Sequence, residues 1–220
     1  MELLRQTPDK FYDLCICDPP YGIDALIRNG TCKMNQRMKA GSWIDIAPGP
    51  EYFSEVLRVT AHQIVWGGNY FSEHLAPTRS WVYWSKGKPD VCNYSDGELA
   101  WTSFDQRMRE VRIVSHGFMR EQDVIHPTQK PVALYRWLLK NYAKPGQRIL
   151  DTHLGSGSIA IACDLEGFDL VGCEIDADYI AGARKRLADH QAQPRLFDMP
   201  RPTAEQLSLD TNTDEEYRRG

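Results

Sequence analysis

Apolar runs closed by turn residues alternate along this chain with stretches of helical spacing. Phe11-Tyr-Asp-Leu-Cys-Ile-Cys17 is a short apolar run that Pro19-Pro20 stops abruptly, which predicts a buried strand ending at Asp18. Pro50 opens a predicted helix in which Tyr52, Phe53, Val56, Leu57 and Val59 share one face. His62–Trp66 reads as a second strand closed by Gly67-Gly68, Trp81–Trp84 as a third and Glu98–Phe104 as a fourth. The second half is more regular. Pro131–Tyr142 predicts a helix with proline at its start, Arg148–Asp151 a strand, and Gly155-Ser-Gly157 a tight turn. Ser158–Leu165 then predicts a helix, Leu170–Glu174 a strand, and Ala177–His190 a last helix. Strand–helix–strand at this spacing predicts an α/β fold with parallel pairing and right-handed crossovers.

Two segments break the pattern. Residues 23–47 are polar, carry Arg28, Lys33, Arg37 and Lys39, and read as a long loop of the kind that is functional or disordered. From Gln191 onward the chain is polar with scattered proline, which predicts a mobile tail. The expected organisation is one domain over 1–190 and a tail over 191–220.

Composition narrows the class. The 220 residues are 42% hydrophobic and 25% charged, as in a globular protein with a full core. No apolar run reaches the roughly 18 residues of a membrane span, so a cytoplasmic protein without membrane contact is expected. The net charge is −4, and residues 191–220 contribute 4 basic and 6 acidic side chains, leaving the body slightly acidic. Contact with nucleic acid must therefore rest on local patches, such as the stretch with Arg107, Arg109, Arg112, His116 and Arg120. The six cysteines are scattered and read as reduced thiols, and no spacing of Cys or His offers a metal site.

Two places carry candidate chemistry. Asp18-Pro-Pro-Tyr21 puts a carboxylate, a stiff turn and an aromatic ring at the carboxyl end of a strand, where open α/β sheets bind ligands. An acceptor beside a planar surface suits a flat base with an exocyclic amine. Asp151-Thr-His-Leu-Gly155-Ser-Gly157 joins a strand to a helix, and Glu174 ends the next strand, 17 residues beyond Gly157. Glycines admit a ligand to the backbone, and the distal acid accepts ribose hydroxyls. The third glycine of the dinucleotide fingerprint is absent, and Asp151 would repel a pyrophosphate. A cationic, phosphate-free nucleoside such as S-adenosylmethionine fits better.

Asp18-Pro-Pro-Tyr21, His126-Pro-Thr-Gln-Lys-Pro131 and Asp151-x-x-x-Gly-Ser-Gly157, in that order, resemble the motifs of the beta-group amino-methylating DNA methyltransferases over about residues 10–190. Trp66–Phe71 and Glu98–Phe104 are similar to segments of small phage and prophage adenine methylases. The resemblance implies a Rossmann-like three-layer sandwich with a mostly parallel sheet and a permuted motif order. It implies S-adenosylmethionine as cofactor, held by Thr128, Lys130, Asp151, His153, Gly155, Ser156, Gly157 and Glu174, with Lys130 on the cofactor's carboxylate. It further implies methyl transfer to a base flipped out of double-stranded DNA. Asp18 and the Pro19 carbonyl would draw on the amine hydrogens, Pro20 would stiffen the turn and Tyr21 would stack on the base. Asp at position 18 favours adenine N6, whereas cytosine-N4 enzymes of the group more often have Ser there. A cytosine-C5 route would need a Pro-Cys pair, and the chain has none.

Two departures from the family pattern stand out. His153 replaces the usual Phe. Only 104 residues separate Tyr21 from His126, so recognition elements are expected within 23–47 and 85–120, with a short target sequence or a second subunit completing a homodimer. In the tail, Gln193-Pro-Arg-Leu-Phe197 is similar to peptides that dock on the bacterial sliding clamp. The alternatives to adenine methylation are a cytosine-N4 methyltransferase and a catalytically silent DNA- or clamp-binding protein of the same fold.

Overall fold

The computed structural model describes residues 1–23, 45–87, 95–114, 125–126 and 128–193. Seven strands form one mixed sheet: β1 Tyr12–Cys17, β2 Thr60–Trp66, β3 Trp81–Ser85, β4 Gly97–Thr102, β5 Arg109–Arg112, β6 Arg148–Asp151 and β7 Asp169–Gly172. Their order across the sheet is β5-β3-β4-β2-β1-β6-β7. The pairs β1–β2, β1–β6, β6–β7 and β3–β5 are parallel, while β4 runs antiparallel to both β2 and β3. The helices are α1 Glu2–Gln6, α2 Pro50–Val59, α3 Val132–Tyr142, α4 Ser158–Glu166 and α5 Ala177–Ala192.

Alternation along β1 feeds two cores, one on each face of the sheet. Leu14 and Ile16 join Ile64, Trp66, Leu134, Leu138 and Ile159 on the α3–α4 face. Cys15 and Cys17 join Phe53, Val56 and Val65 on the α2 face, so these thiols are core residues as expected. Both are fully buried.

The topology decides what meets at the ligand edge. From β1 the chain moves to β2 on one side, and later builds β6 and β7 on the other. The crevice between β1 and β6 is thus a switch point of the kind where α/β sheets bind ligands. Because β4 is antiparallel, it delivers its first residues, Gly97 and Glu98, to the same edge that receives the last residues of β1, β2 and β6.

Among the described residues the observed elements depart from expectation at several points. Helix α1 and strand β5 were not anticipated, because each buries a single apolar residue, Leu4 and Val111. Strand β7 ends at Gly172, so Glu174 lies just beyond it in the following loop. Pro131 is the N-cap of α3, outside its first turn. Helix α5 continues to Ala192, two residues past the expected domain boundary. Most of the 23–47 loop, residues 88–94 and 115–124, and the tail from residue 194 with most of the clamp-like peptide lie outside the described residues. No described helix is long and apolar enough to cross a membrane.

Candidate active site

Asp18 follows the last residue of β1, and the chain turns away through buried Pro19 and half-buried Pro20. The Tyr21 hydroxyl comes back to donate to Asp18 Oδ1 at 2.7 Å. Asp18 Oδ2 is in contact with the Lys130 ammonium, which also lies 3.1 Å from Glu98 Oε2. Glu98 Oε1 in turn pairs with Lys86 at 2.7 Å. Lys130 is only 3% exposed. Its ammonium sits 5.2 Å from the centre of the Trp66 ring, a cation–π contact that offsets part of its desolvation.

Electrostatics keep these groups in defined states. Burial alone would push Glu98 up, but the Lys130 and Lys86 charges outweigh it and hold the carboxylate well below its ordinary range. Burial likewise works against the Lys130 charge, and Asp18 and Glu98 reverse it, so Lys130 stays an ammonium. Burial, then the Asp18 and Glu98 charges, lift the Tyr21 phenol well above its usual range. Tyr21 therefore remains a donor to Asp18 at neutral pH.

The second half of the site is the turn after β6. Gly155 and Gly157 adopt positive φ of 50° and 72°, a left-handed backbone that favours glycine. A Cβ at Gly157 would also lie 2.7 Å from that of Ala183 on α5, so the turn is pressed against that helix. Ser156 is buried, and its carbonyl accepts from Arg186 Nη1 at 2.5 Å. Glu174 reaches across from the loop after β7: its Oε2 accepts from the Gly155 N–H at 2.8 Å, and its Oε1 from the N–H groups of Ile175 and Asp176. Beside it, Ile175 is fully exposed, an apolar surface next to a carboxylate. Asp151 is buried and accepts from the His153 N–H at 2.9 Å. Burial raises its carboxyl, that hydrogen bond opposes, and the Asp18 and Glu174 charges raise it further, to about 7.

Residues 125, 126 and 128–131 lie between the two halves. The His126 ring packs against Tyr179 of α5, with centroids 4.5 Å apart, and faces Gly155. Thr128 Oγ1 is 3.1 Å from His126 Nδ1. Four residues beyond His126, Lys130 reaches Asp18. On the other side of β6, His153 Nδ1 meets Thr152 Oγ1 at 3.0 Å, and its ring stands edge-on to Tyr52 at 5.3 Å. Burial drives this imidazole down to about 4, so it is neutral. His153, Thr152, Tyr52 and Cys173 border a cavity of about 560 Å³.

The structure thus gathers Asp18, Tyr21, Lys130, Asp151, Gly155, Ser156, Gly157 and Glu174 along one edge of the sheet, with Thr128 and His153 flanking them. Lys130, expected on the cofactor's carboxylate, is paired with Asp18 and Glu98. The Tyr21 ring, expected to face a base, is stacked on Tyr70 with centroids 5.1 Å apart and an interplanar angle of 20°. Glu98, Lys86, Tyr70 and His126 were not singled out from the sequence. The first has a visible signal, a carboxylate opening an otherwise apolar strand. His126 opens the His126–Pro131 motif and carries the same local signal as Thr128 and Lys130. Among the described residues no group of His, Cys, Asp and Glu is placed to hold a metal ion.

Residues 101–185 match the family model of the N6/N4 DNA methylases. The type II methyltransferase M.HpaI of Haemophilus parainfluenzae is 24% identical over 85% of this chain and 71% of its own length. The type II methyltransferase M2.MboI of Moraxella bovis is 23% identical over 58% of this chain, which spans 47% of that relative. In fold, the chain resembles M1.HpyAVI, solved as a complex with SAM, at a TM-score of 0.55 and 20% identity, covering 81% of this chain and 89% of the other. It also resembles the cytosine-N4-specific PvuII DNA methyltransferase at a TM-score of 0.56 and 13% identity, covering 96% of this chain and 88% of the other. The motif set, the switch-point geometry and the match over residues 101–185 make this chain similar to the amino-methylating DNA methyltransferases.

Proposed function

We propose that the chain transfers a methyl group from S-adenosylmethionine to the exocyclic N6 of an adenine flipped out of double-stranded DNA. The observation that carries the reading is the Asp18 carboxylate, set by β1 at the switch-point crevice and sharing that edge of the sheet with the glycine turn after β6.

The residues present suit the cofactor's chemistry. Asp151 responds to the charges of both Asp18 and Glu174, so the crevice concentrates acid where a cation is to be received. Glu174 and the exposed Ile175 pair a hydroxyl acceptor with an apolar surface, as a ribose and its base require. The Gly155–Gly157 backbone, Ser156 and Thr128 would complete the cradle, and neutral His153 borders it. When bound, the cofactor supplies a methyl group already activated by its sulfonium.

What remains for the protein is orientation and proton management. An exocyclic amine is a poor nucleophile because its lone pair is delocalised into the ring. Asp18 and the Pro19 carbonyl accept its two hydrogens, which lets the nitrogen become pyramidal and turn its lone pair toward the methyl carbon. As the N–C bond forms and the bond from the methyl carbon to sulfur breaks, leaving a neutral thioether, the nitrogen would shed one proton to Asp18, which would pass it to solvent. Tyr21 fixes the carboxylate through Oδ1, and its ring with that of Tyr70 offers the stacking surface. Basic residues around 85–120 would meet DNA phosphates. We further propose that the peptide Gln193–Phe197 docks on a sliding clamp.

Incubation with cofactor labelled in the methyl group and mixed-sequence duplex, followed by digestion to nucleosides, tests the reading. Label in N6-methyladenine is expected. Label in N4-methylcytosine would move the target to cytosine, and no label in nucleic acid would overturn the activity.

A further inference from the structure

Four charged side chains from four separate segments meet beside Tyr21: Asp18 after β1, Lys86 after β3, Glu98 at the start of β4 and Lys130 before α3. Two are carboxylates and two are ammonium groups, so the set is neutral. Lys130 is the shared member, with Asp18 on one side and Glu98 Oε2 at 3.1 Å on the other. The Tyr21 hydroxyl lies between them, 2.7 Å from Asp18 Oδ1 and 3.4 Å from Glu98 Oε2.

This arrangement raises a difficulty for the proposed reaction. A carboxylate that must accept hydrogens from an incoming amine is already held by an ammonium. If Asp18 were the sole anion near Lys130, moving the ammonium away would strand a buried charge, which is strongly unfavourable. Glu98 removes that difficulty, because it offers Lys130 a second carboxylate within reach and without loss of burial. Lys86, on the other oxygen of Glu98, keeps that carboxylate ionised and in place.

We propose that Glu98 is a positioning residue for the Asp18 acceptor: by sharing Lys130 it lets the ammonium shift off Asp18 when a nucleobase amino group takes its place. The proposal rests on the amino-methylating function given above and deepens it. Glu98 acts through Lys130 and Asp18 and touches neither substrate.

The test uses the full chain with E98Q, which keeps the shape and removes the charge, and with the double variant E98Q/K130M, which also removes the ammonium. Steady-state kcat, the KM values for duplex DNA and S-adenosylmethionine, and the melting temperature are measured for each. In E98Q, Lys130 has Asp18 as its remaining anion and clamps it, so kcat falls by about tenfold or more while both KM values stay within about twofold. In the double variant nothing competes for Asp18, and kcat recovers part of that loss. A purely structural salt bridge would make the double variant no better than E98Q, with activity following melting temperature, and that result would overturn the proposal. So would an E98Q with wild-type kcat. A loss confined to KM for S-adenosylmethionine would also overturn it, by placing Lys130 on the cofactor. A wild-type chain that methylates no nucleic acid fells the function and this proposal together, whereas an active wild type with an indifferent E98Q fells the proposal alone.

Discussion

Gly67 and the Tyr21 ring occupy adjoining space so closely that a Cβ at position 67 would fall 2.2 Å from Cε1 of the ring. Gly67 also has φ +66°, in the region that favours glycine. The turn after β2 therefore presses on the residue that orients Asp18. Gly67→Ala is expected to cost about 1–3 kcal/mol of stability from backbone strain and overpacking. It should also lower kcat more than KM, because Tyr21 must move and its hydrogen bond to Asp18 goes with it. Chemical denaturation and steady-state kinetics on the same preparation check both, and a variant with unchanged kcat would show that the ring's position is immaterial.

Asp18 separates binding from chemistry. Asp18→Ala should abolish methylation while leaving S-adenosylmethionine affinity within a few fold, because the cofactor is assigned to Glu174 and the glycine turn. The same change leaves Lys130 with Glu98 as its remaining anionic partner, so a modest loss of melting temperature is expected. Calorimetric titration with cofactor beside the labelled-methyl assay decides the matter.

Asp151 gives the site a pH dependence. Its folded value, raised by burial to about 7, lies above its ordinary 3.8, so the folded state holds a proton that the unfolded state releases. The favourable contribution is fully present below the unfolded value and is lost as pH rises through about 7, at a rate approaching 1.4 kcal/mol per pH unit inside that window. Asp151→Asn, which keeps an oxygen for the His153 N–H, should gain stability relative to wild type as pH climbs from 5 to 8. A cationic cofactor would favour the ionised carboxylate, so its affinity for the wild type should rise across the same range and stay flatter in the variant. Unfolding and binding curves at several pH values provide the comparison, and parallel profiles for the two proteins would remove Asp151 from the account.

Removal of residues 191–220 bears on the clamp-like peptide. The truncated chain should methylate short duplexes as the full chain does and lose binding to a sliding clamp, measured by surface plasmon resonance. Equal clamp binding by both chains would reject the docking role. Since α5 continues to Ala192, truncation after Gln193 is the milder cut for the fold.

The strands that build the ligand edge were legible because each is an apolar run ended by a turn residue: Pro19 after β1, Gly67 after β2, the Gly155–Gly157 turn after β6. The glycine turn and the distal acid were legible from spacing, and the structure adds that Glu174 spends both oxygens on backbone N–H groups of the turn and its own loop. Strand β5 was hidden because only Val111 of its four residues is buried, so no alternation shows through the arginines. Glu98 shows in the sequence as a carboxylate opening an apolar strand, but its place at the site does not. Apolar runs do not disclose strand direction, and only the antiparallel course of β4 turns a strand's first residue toward the site. Lys130 could be read as an exposed helix-start lysine or as a cofactor ligand; nothing local announces that two carboxylates from distant segments will enclose it.

The segment from His126 to Lys130 touches the glycine turn at one end and the Asp18 carboxylate at the other. A molecule that displaces either end moves a strap the second molecule must also meet. The two substrates of the proposed reaction are then thermodynamically linked, and linkage runs both ways: the factor by which cofactor changes affinity for the target base is the factor by which the base changes affinity for cofactor.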